Sequence, residues 1–170
     1  MDISDLKEGI KQIAIDSGAV LVGVGSRDRL MAAPLSADMD YSLTGAQSCI
    51  IWAYAAPWDT LKDYFGKVER MGIKKFQHHA YSTGWATAEK IARYINKNSE
   101  FKVLPLIPNG EYRGAEDGKN VSYDKFFSAG NAIPPFSLRY GAVAAGLGQL
   151  GWSGNLVTEP YGELFSWQAF

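Results

Sequence analysis

Residues 4–25, SDLKEGIKQIAIDSGAVLVGVG, set an amphipathic helix directly ahead of an apolar strand. Leu6, Ile10, Ile13 and Ala14 recur at the three-to-four spacing that lines one face of a helix. Ser4 is placed to cap it, and Gly18 supplies the residue that ends it. Residues 19–25, AVLVGVG, then read as a short strand. The same switch of period recurs along the chain. Residues 49–55 read as a strand closed by Pro57, and residues 81–97 as a helix. Trp85, Ala88, Ile91, Ala92 and Ile95 line one face of that helix, with Glu89, Lys90, Arg93 and Lys97 on the other. Residues 101–107 are expected as a further strand. Between these, residues 26–47 are polar and turn-rich with a short helix near 27–32. Residues 108–131 read as a long loop of the kind that serves as a lid or binding segment. After Pro134 and Pro135, Ser137 is placed to cap a helix over 138–147, and 155–158 and 163–169 are short strand candidates. Helices and strands alternate without βαβ periods, which predicts a single α+β domain over residues 1–170, a mixed or antiparallel central sheet flanked by helices.

The 170 residues are 46% hydrophobic, 21% charged and 13% aromatic, with a formal net charge of −1. That balance supports collapse and excludes disorder. It also offers no cationic field for nucleic acid. No apolar run reaches the roughly 18 residues of a membrane helix, and MDISDLKEGIKQ lacks the basic start and apolar core of a signal peptide. The expected compartment is the cytoplasm. The single cysteine, Cys49, excludes an internal disulfide, a thiolate zinc site and a self-contained iron–sulfur cluster, which takes four thiolates. Within SCIIWAYAA it reads as an inert core thiol.

Gly146-Leu147-Gly148-Gln149-Leu150-Gly151 fits the G-x-G-x-x-G pattern. A dinucleotide fingerprint needs a strand before it, a helix after it and an acidic residue about 20 positions on. Here the preceding segment reads as helix, and too few residues follow for a βαβ unit. The motif instead reads as a helix end running into a glycine-rich turn, with Gly148 or Gly151 in the left-handed position. Gly141, Gly146, Gly148, Gly151, Gly154 and Gly162 are interleaved with Trp152, Ser153, Asn155 and Thr158. Such a segment suits a large flat ligand laid against backbone, at the mouth of the main pocket. A branched side chain at Gly148 is then expected to block the ligand with little loss of folding.

Residues 145–162, AGLGQLGWSGNLVTEPYG, resemble the signature AGLGELGRNGLLITPEYG of corrinoid-dependent reductive dehalogenases and their relatives, the epoxyqueuosine reductases. Residues 18–25 are similar to that group's helix-to-strand entry, and residues 46–51, AQSCII, to its "aksvIv" strand. Arg139 stands where epoxyqueuosine reductases carry an arginine ahead of the motif. The resemblance implies a nitroreductase-like α+β sandwich that binds cobalamin through Arg139, Gly146, Leu147, Gly148, Gln149, Leu150, Gly151, Trp152, Ser153, Asn155 and Thr158. It implies low-valent cobalt acting on the substrate, fed by two clusters in a C-terminal ferredoxin-like region. This sequence departs from the signature at Trp152, Ser153 and Asn155 and in the order Glu159-Pro160, and it contains no C-x-x-C-x-x-C-x-x-x-C-P run. Aligning Tyr81-Ser82-Thr83-Gly84 with the pattern RYAxGRDYH puts Ala86 at the family's aspartate, which leaves Tyr81 as the candidate proton donor.

Three functions stay open at this stage. One is a corrinoid-dependent reductase served by a separate ferredoxin-type donor. Another is a corrinoid-binding or corrinoid-handling protein without turnover. The third is a flavin-binding nitroreductase-like homodimer. His78 and His79 are adjacent, point about 100° apart on a helix and make a poor chelating pair, so no metal site is assigned. Glu111, Glu116 and Asp117 read as solvated loop charge, and Asn120-Val121-Ser122 is a sequon by composition only.

Overall fold

The computed structural model describes residues 2–106, 134–162 and 165–169. In chain order its elements are α1 (Ile3–Asp16), β1 (Leu21–Ser26), two short 3₁₀ turns at Arg27–Leu30 and Leu35–Ala37, β2 (Ser48–Ala55), α2 (Trp58–Phe65) and α3 (Met71–Asn98). Then follow α4 (Leu138–Ala144), β3 (Gln149–Leu150), β4 (Leu156–Val157) and β5 (Phe165–Ala169). The architecture is α+β. The main sheet has the order β1-β2-β5 and β3 pairs with β4 as a separate hairpin. Both sheets are antiparallel, with Gly23 opposite Ile51 in the β1–β2 pair and Ala53 opposite Trp167 in the β2–β5 pair.

β2 is the hub, because its side chains alternate between two buried faces. Ile50, Trp52 and Tyr54 pack with Leu6, Ile10 and Ala14 of α1 and with Ala80, Ala88, Ile91 and Ile95 of α3. The Tyr54 and Thr87 hydroxyls pair at 3.1 Å within that layer, whereas the buried Trp52 indole N–H has no hydrogen-bond partner among the described residues. Cys49 and Ile51 face the other way, onto Leu30, Met39, Phe136 and Leu156 and onto Ala142 and Ala144 of α4. Each fully buried aliphatic side chain in these layers contributes about 1.5–3 kcal/mol. α4 comes close enough to exclude side chains from β1. A Cβ on Gly25 would stand 2.9 Å from Ala144 Cβ, and one on Gly23 2.9 Å from the Ala145 carbonyl oxygen. The small residues of α4 are thus matched by β1 backbone rather than held open for a ligand.

Several local expectations change. The cap of α1 is Asp2, not Ser4: the Asp2 carboxylate accepts from the Ile3 N–H at 2.7 Å. Gly18 does end the helix, in the left-handed region at φ 90°. α2 carries no cap signal in the sequence. α3 begins ten residues before the expected start at Tyr81, its first turn held by Glu69, whose carboxylate accepts from the Gly72 N–H at 2.6 Å and from the Met71 N–H. Trp85 leaves the apolar face: it is 42% exposed and its indole N–H donates to Glu89 at 3.1 Å. Residues 101–105 form no regular strand, and Leu106 makes only a single bridge. The expected loop over 108–131, with Glu111, Glu116, Asp117 and the 120–122 sequon, lies outside the described residues, as does residue 107. No helix among the described residues is long and apolar enough to cross a membrane.

Candidate functional site

The glycine motif starts where α4 stops. The Gly146 N–H donates to the Val143 carbonyl and the Leu147 N–H to the Ala142 carbonyl, both at 2.9 Å. Gly146 itself has φ 74°. This is a Schellman ending, in which one left-handed residue lets the last carbonyls be satisfied. Gly146, rather than Gly148 or Gly151, therefore takes the left-handed position at the helix end. The Ala144 carbonyl gains a further donor from Arg29, whose Nη1 reaches it at 2.9 Å. That contact crosses 115 residues of sequence, and nothing local in the sequence announces it.

Beyond Gly146 the chain folds into the β3–β4 hairpin, with Gln149 opposite Val157 and Leu150 opposite Leu156. Its tip closes through Gly154 N–H to the Gly151 carbonyl at 3.0 Å and Gly151 N–H to the Asn155 carbonyl at 2.8 Å. Gly154, at φ 74°, follows the turn in the left-handed region, as a hairpin of this length demands. Arg139, in the first turn of α4, donates from Nη1 to the Gly154 carbonyl at 2.6 Å and so ties the tip to the helix.

The candidate binding residues separate into three groups. Leu147 packs into the core beside α4, and Thr158 is buried, its backbone paired with Gly162 in both directions at 2.9 Å. Gly148 is filled from behind: a Cβ there would lie 2.4 Å from the Val157 carbonyl oxygen. Its lack of a side chain serves the hairpin, so the expectation that a branched residue at Gly148 spares folding is overturned. The remaining positions face outward. Gln149, Leu150, Trp152, Ser153 and Asn155 are exposed, Trp152 completely. Nothing lies within 4 Å of a Cβ built on Gly146 or Gly162, and only the Arg139 guanidinium, at 3.8 Å, approaches one built on Gly154.

The loop under α4 is fixed by charge. Arg27 grips Asp40 with both guanidinium nitrogens, and the Gly45 N–H adds a bond to the Asp40 carboxylate at 2.8 Å. The Arg27 hydrogen bond, then the Gly45 amide, hold the Asp40 carboxyl below its ordinary value.

Tyr81 is 40% exposed on α3, in the layer that packs against the Ile50–Trp52–Tyr54 face, whereas α4 and the hairpin's Leu156 pack against the opposite face. The sheet therefore stands between Tyr81 and the glycine hairpin. His78 and His79 are exposed on the same helix. Cys49 is buried, and burial pushes its thiol up to about 11, so it stays protonated as a core residue. A cavity of about 210 Å³ does open in the molecule, but none of residues 146–158 lines it. Its volume is below the roughly 300–1,000 Å³ of sites for drug-sized ligands, so it holds no corrin, and the motif does not stand at its mouth. Among known proteins, no family model and no curated sequence matches the chain.

Proposed function

We propose that the chain is a cobalamin-binding domain of the reductive dehalogenase and epoxyqueuosine reductase type, a nitroreductase-like sandwich whose reductive chemistry at cobalt draws on a separate iron–sulfur module. One observation carries the reading. Gly146, Gly154 and Gly162 all sit in the left-handed region, Gly146 and Gly162 beside open space and Gly154 beside only the Arg139 guanidinium, on the segment that also exposes Leu150, Trp152 and Val157. Bare backbone with apolar side chains around it is a surface on which a broad macrocycle can lie.

The residues fit that group in distinct ways. Gly146, Gly154 and Gly162 leave room for the ring. Leu150, Trp152 and Val157 offer apolar contact. Gln149, Ser153 and Asn155 supply polar groups for the amide-bearing periphery of a corrin. Arg139 acts on the site through the Gly154 carbonyl, as a positioning residue. Leu147, Gly148 and Thr158 support the hairpin from beneath, and Gly151 closes its tip. When bound, cobalamin supplies a low-valent cobalt centre able to reduce an electrophilic substrate. Tyr81, across the sheet from this surface, is out of hydrogen-bond reach of a substrate at the ring, so it is not assigned the proton-donor role.

Titrating the purified chain with hydroxocobalamin and following its visible absorption tests the reading. Saturable one-to-one binding is expected, weakened about tenfold or more by Leu150→Asp. A factor of ten corresponds to 1.4 kcal/mol, and covering an unpaired carboxylate costs at least that. Binding of flavin in place of cobalamin overturns the proposal in favour of a nitroreductase-like flavoprotein.

A further inference from the structure

A cavity of about 210 Å³ lies away from the glycine hairpin, between α1, the 39–46 loop, the ends of β1 and β2 and residues 101–106. Its walls are mostly aliphatic and aromatic, among them Leu6, Ile10, Met39, Leu43 and Phe136. One feature does not suit an empty apolar void. Ser42 lines it, and the Ser42 Oγ is buried without a hydrogen-bond partner. Leaving a buried hydroxyl unpaired destabilises the fold, a cost that an occupant bearing one oxygen removes.

We propose that this cavity is a binding site for a small neutral molecule, an aromatic ring or short chain carrying a single hydroxyl or carbonyl oxygen that pairs with Ser42. Size sets the first limit. An apolar cavity of about 150 Å³ admits benzene, so this one takes a single ring with a one-carbon substituent and excludes a second ring. Charge sets the second limit. The two cationic side chains at the cavity, Lys7 and Lys102, are both exposed, and a solvated ammonium offers a carboxylate little compensation for entering an apolar site. The occupant is therefore neutral. The cavity shares no lining residue with the hairpin, so the inference stands independently of the cobalamin proposal.

Methionine methyl NMR on the whole chain reads the site directly. Met39 is buried and lines the cavity, while Met31 and Met71 are exposed and serve as controls. Benzyl alcohol is expected to shift the Met39 methyl signal saturably and leave Met31 and Met71 unmoved. Toluene, of nearly the same shape but without oxygen, binds about three- to tenfold more weakly, the worth of one neutral hydrogen bond. In Ser42→Ala that difference disappears. An unmoved Met39 signal, equal affinity for toluene and benzyl alcohol in the parent protein, or benzoate binding as tightly as benzyl alcohol each overturns the proposal. The comparison on the parent protein decides the matter even where Ser42→Ala folds poorly.

Discussion

Gly146 and Gly148 are identical letters two positions apart, and the structure needs each for a different reason. Gly146 has open space around it and a left-handed φ of 74°, so its requirement is conformational. Gly148 has no left-handed φ, but the Val157 carbonyl stands 2.4 Å from where its Cβ would be, so its requirement is steric. Gly146→Ala is expected to lower stability by about 1–2 kcal/mol, the cost of a left-handed alanine. Gly148→Ala displaces the β4 strand and costs more, and thermal denaturation of the two variants ranks them. The sequence pattern marks both glycines alike because G-x-G-x-x-G records letters, not φ angles or neighbours. Asp40 illustrates the same limit, since its partner Arg27 lies 13 residues away and the pairing exists only once the loop closes. Its folded carboxyl titrates below the ordinary value of 3.8. The pair therefore stabilises the fold above that value and ceases to do so as pH falls through the lower folded one. The stability gap between the parent protein and Asp40→Asn is expected to close as pH drops below about 4, measured by denaturant titration across that range.

Elements were legible wherever a strong apolar period met a boundary residue. α1, β1, β2 and the second half of α3 follow the sequence closely, because Leu6, Ile10 and Ala14, and likewise Ala88, Ile91 and Ile95, lie at helical spacing and are all buried. The first half of α3 was not legible. Over residues 71–79 only Gly72, Ile73 and Phe76 are even partly buried, so there is little apolar period to read. Its start depends on Glu69, a residue outside the helix whose carboxylate accepts from the Met71 and Gly72 amides. Those amides, with the nearby Lys75 a lesser cause, keep the Glu69 carboxyl below its ordinary value of 4.5. The cap is thus present above that value and lost as pH falls through the folded one. Glu69→Gln is expected to raise the hydrogen-exchange rates of the Met71 and Gly72 amides, relative to the parent, with no change at Ile91 or Ile95. Equal rates in parent and variant would show that the first turn is held by something other than this carboxylate. The strand expected over 101–107 is absent over the described residues 101–105 for a related reason: FKVLPLI is an apolar run, but Pro105 removes a donor from any ladder it could join.

At the scale of the whole molecule, the sheet divides the proposed chemistry. The hairpin belongs to the α4 layer and Tyr81 to the α1–α3 layer, with β2 between them. Sequence order gives no hint of this, since a strand's alternation fixes that two faces exist but not which helix takes which. Tyr81→Phe is accordingly expected to leave cobalamin affinity unchanged, because no candidate contact to the ring lies on that side. The same layering bears on the electron supply. Reduction at cobalt needs a low-potential centre within tunnelling reach, and the 170 residues offer one thiol, Cys49, buried and held protonated. A four-thiolate cluster cannot be assembled from it. The hairpin face, with Trp152 fully exposed at its tip, is the side on which a donor can approach the ring. The cobalamin-loaded chain is therefore expected to turn over an electrophilic substrate only when a cluster-bearing ferredoxin-type donor is supplied. The measurement is stopped-flow absorbance of the bound cofactor with each donor in turn. Sustained turnover with a cluster-free protein donor would show that the reaction does not depend on a cluster-bearing partner.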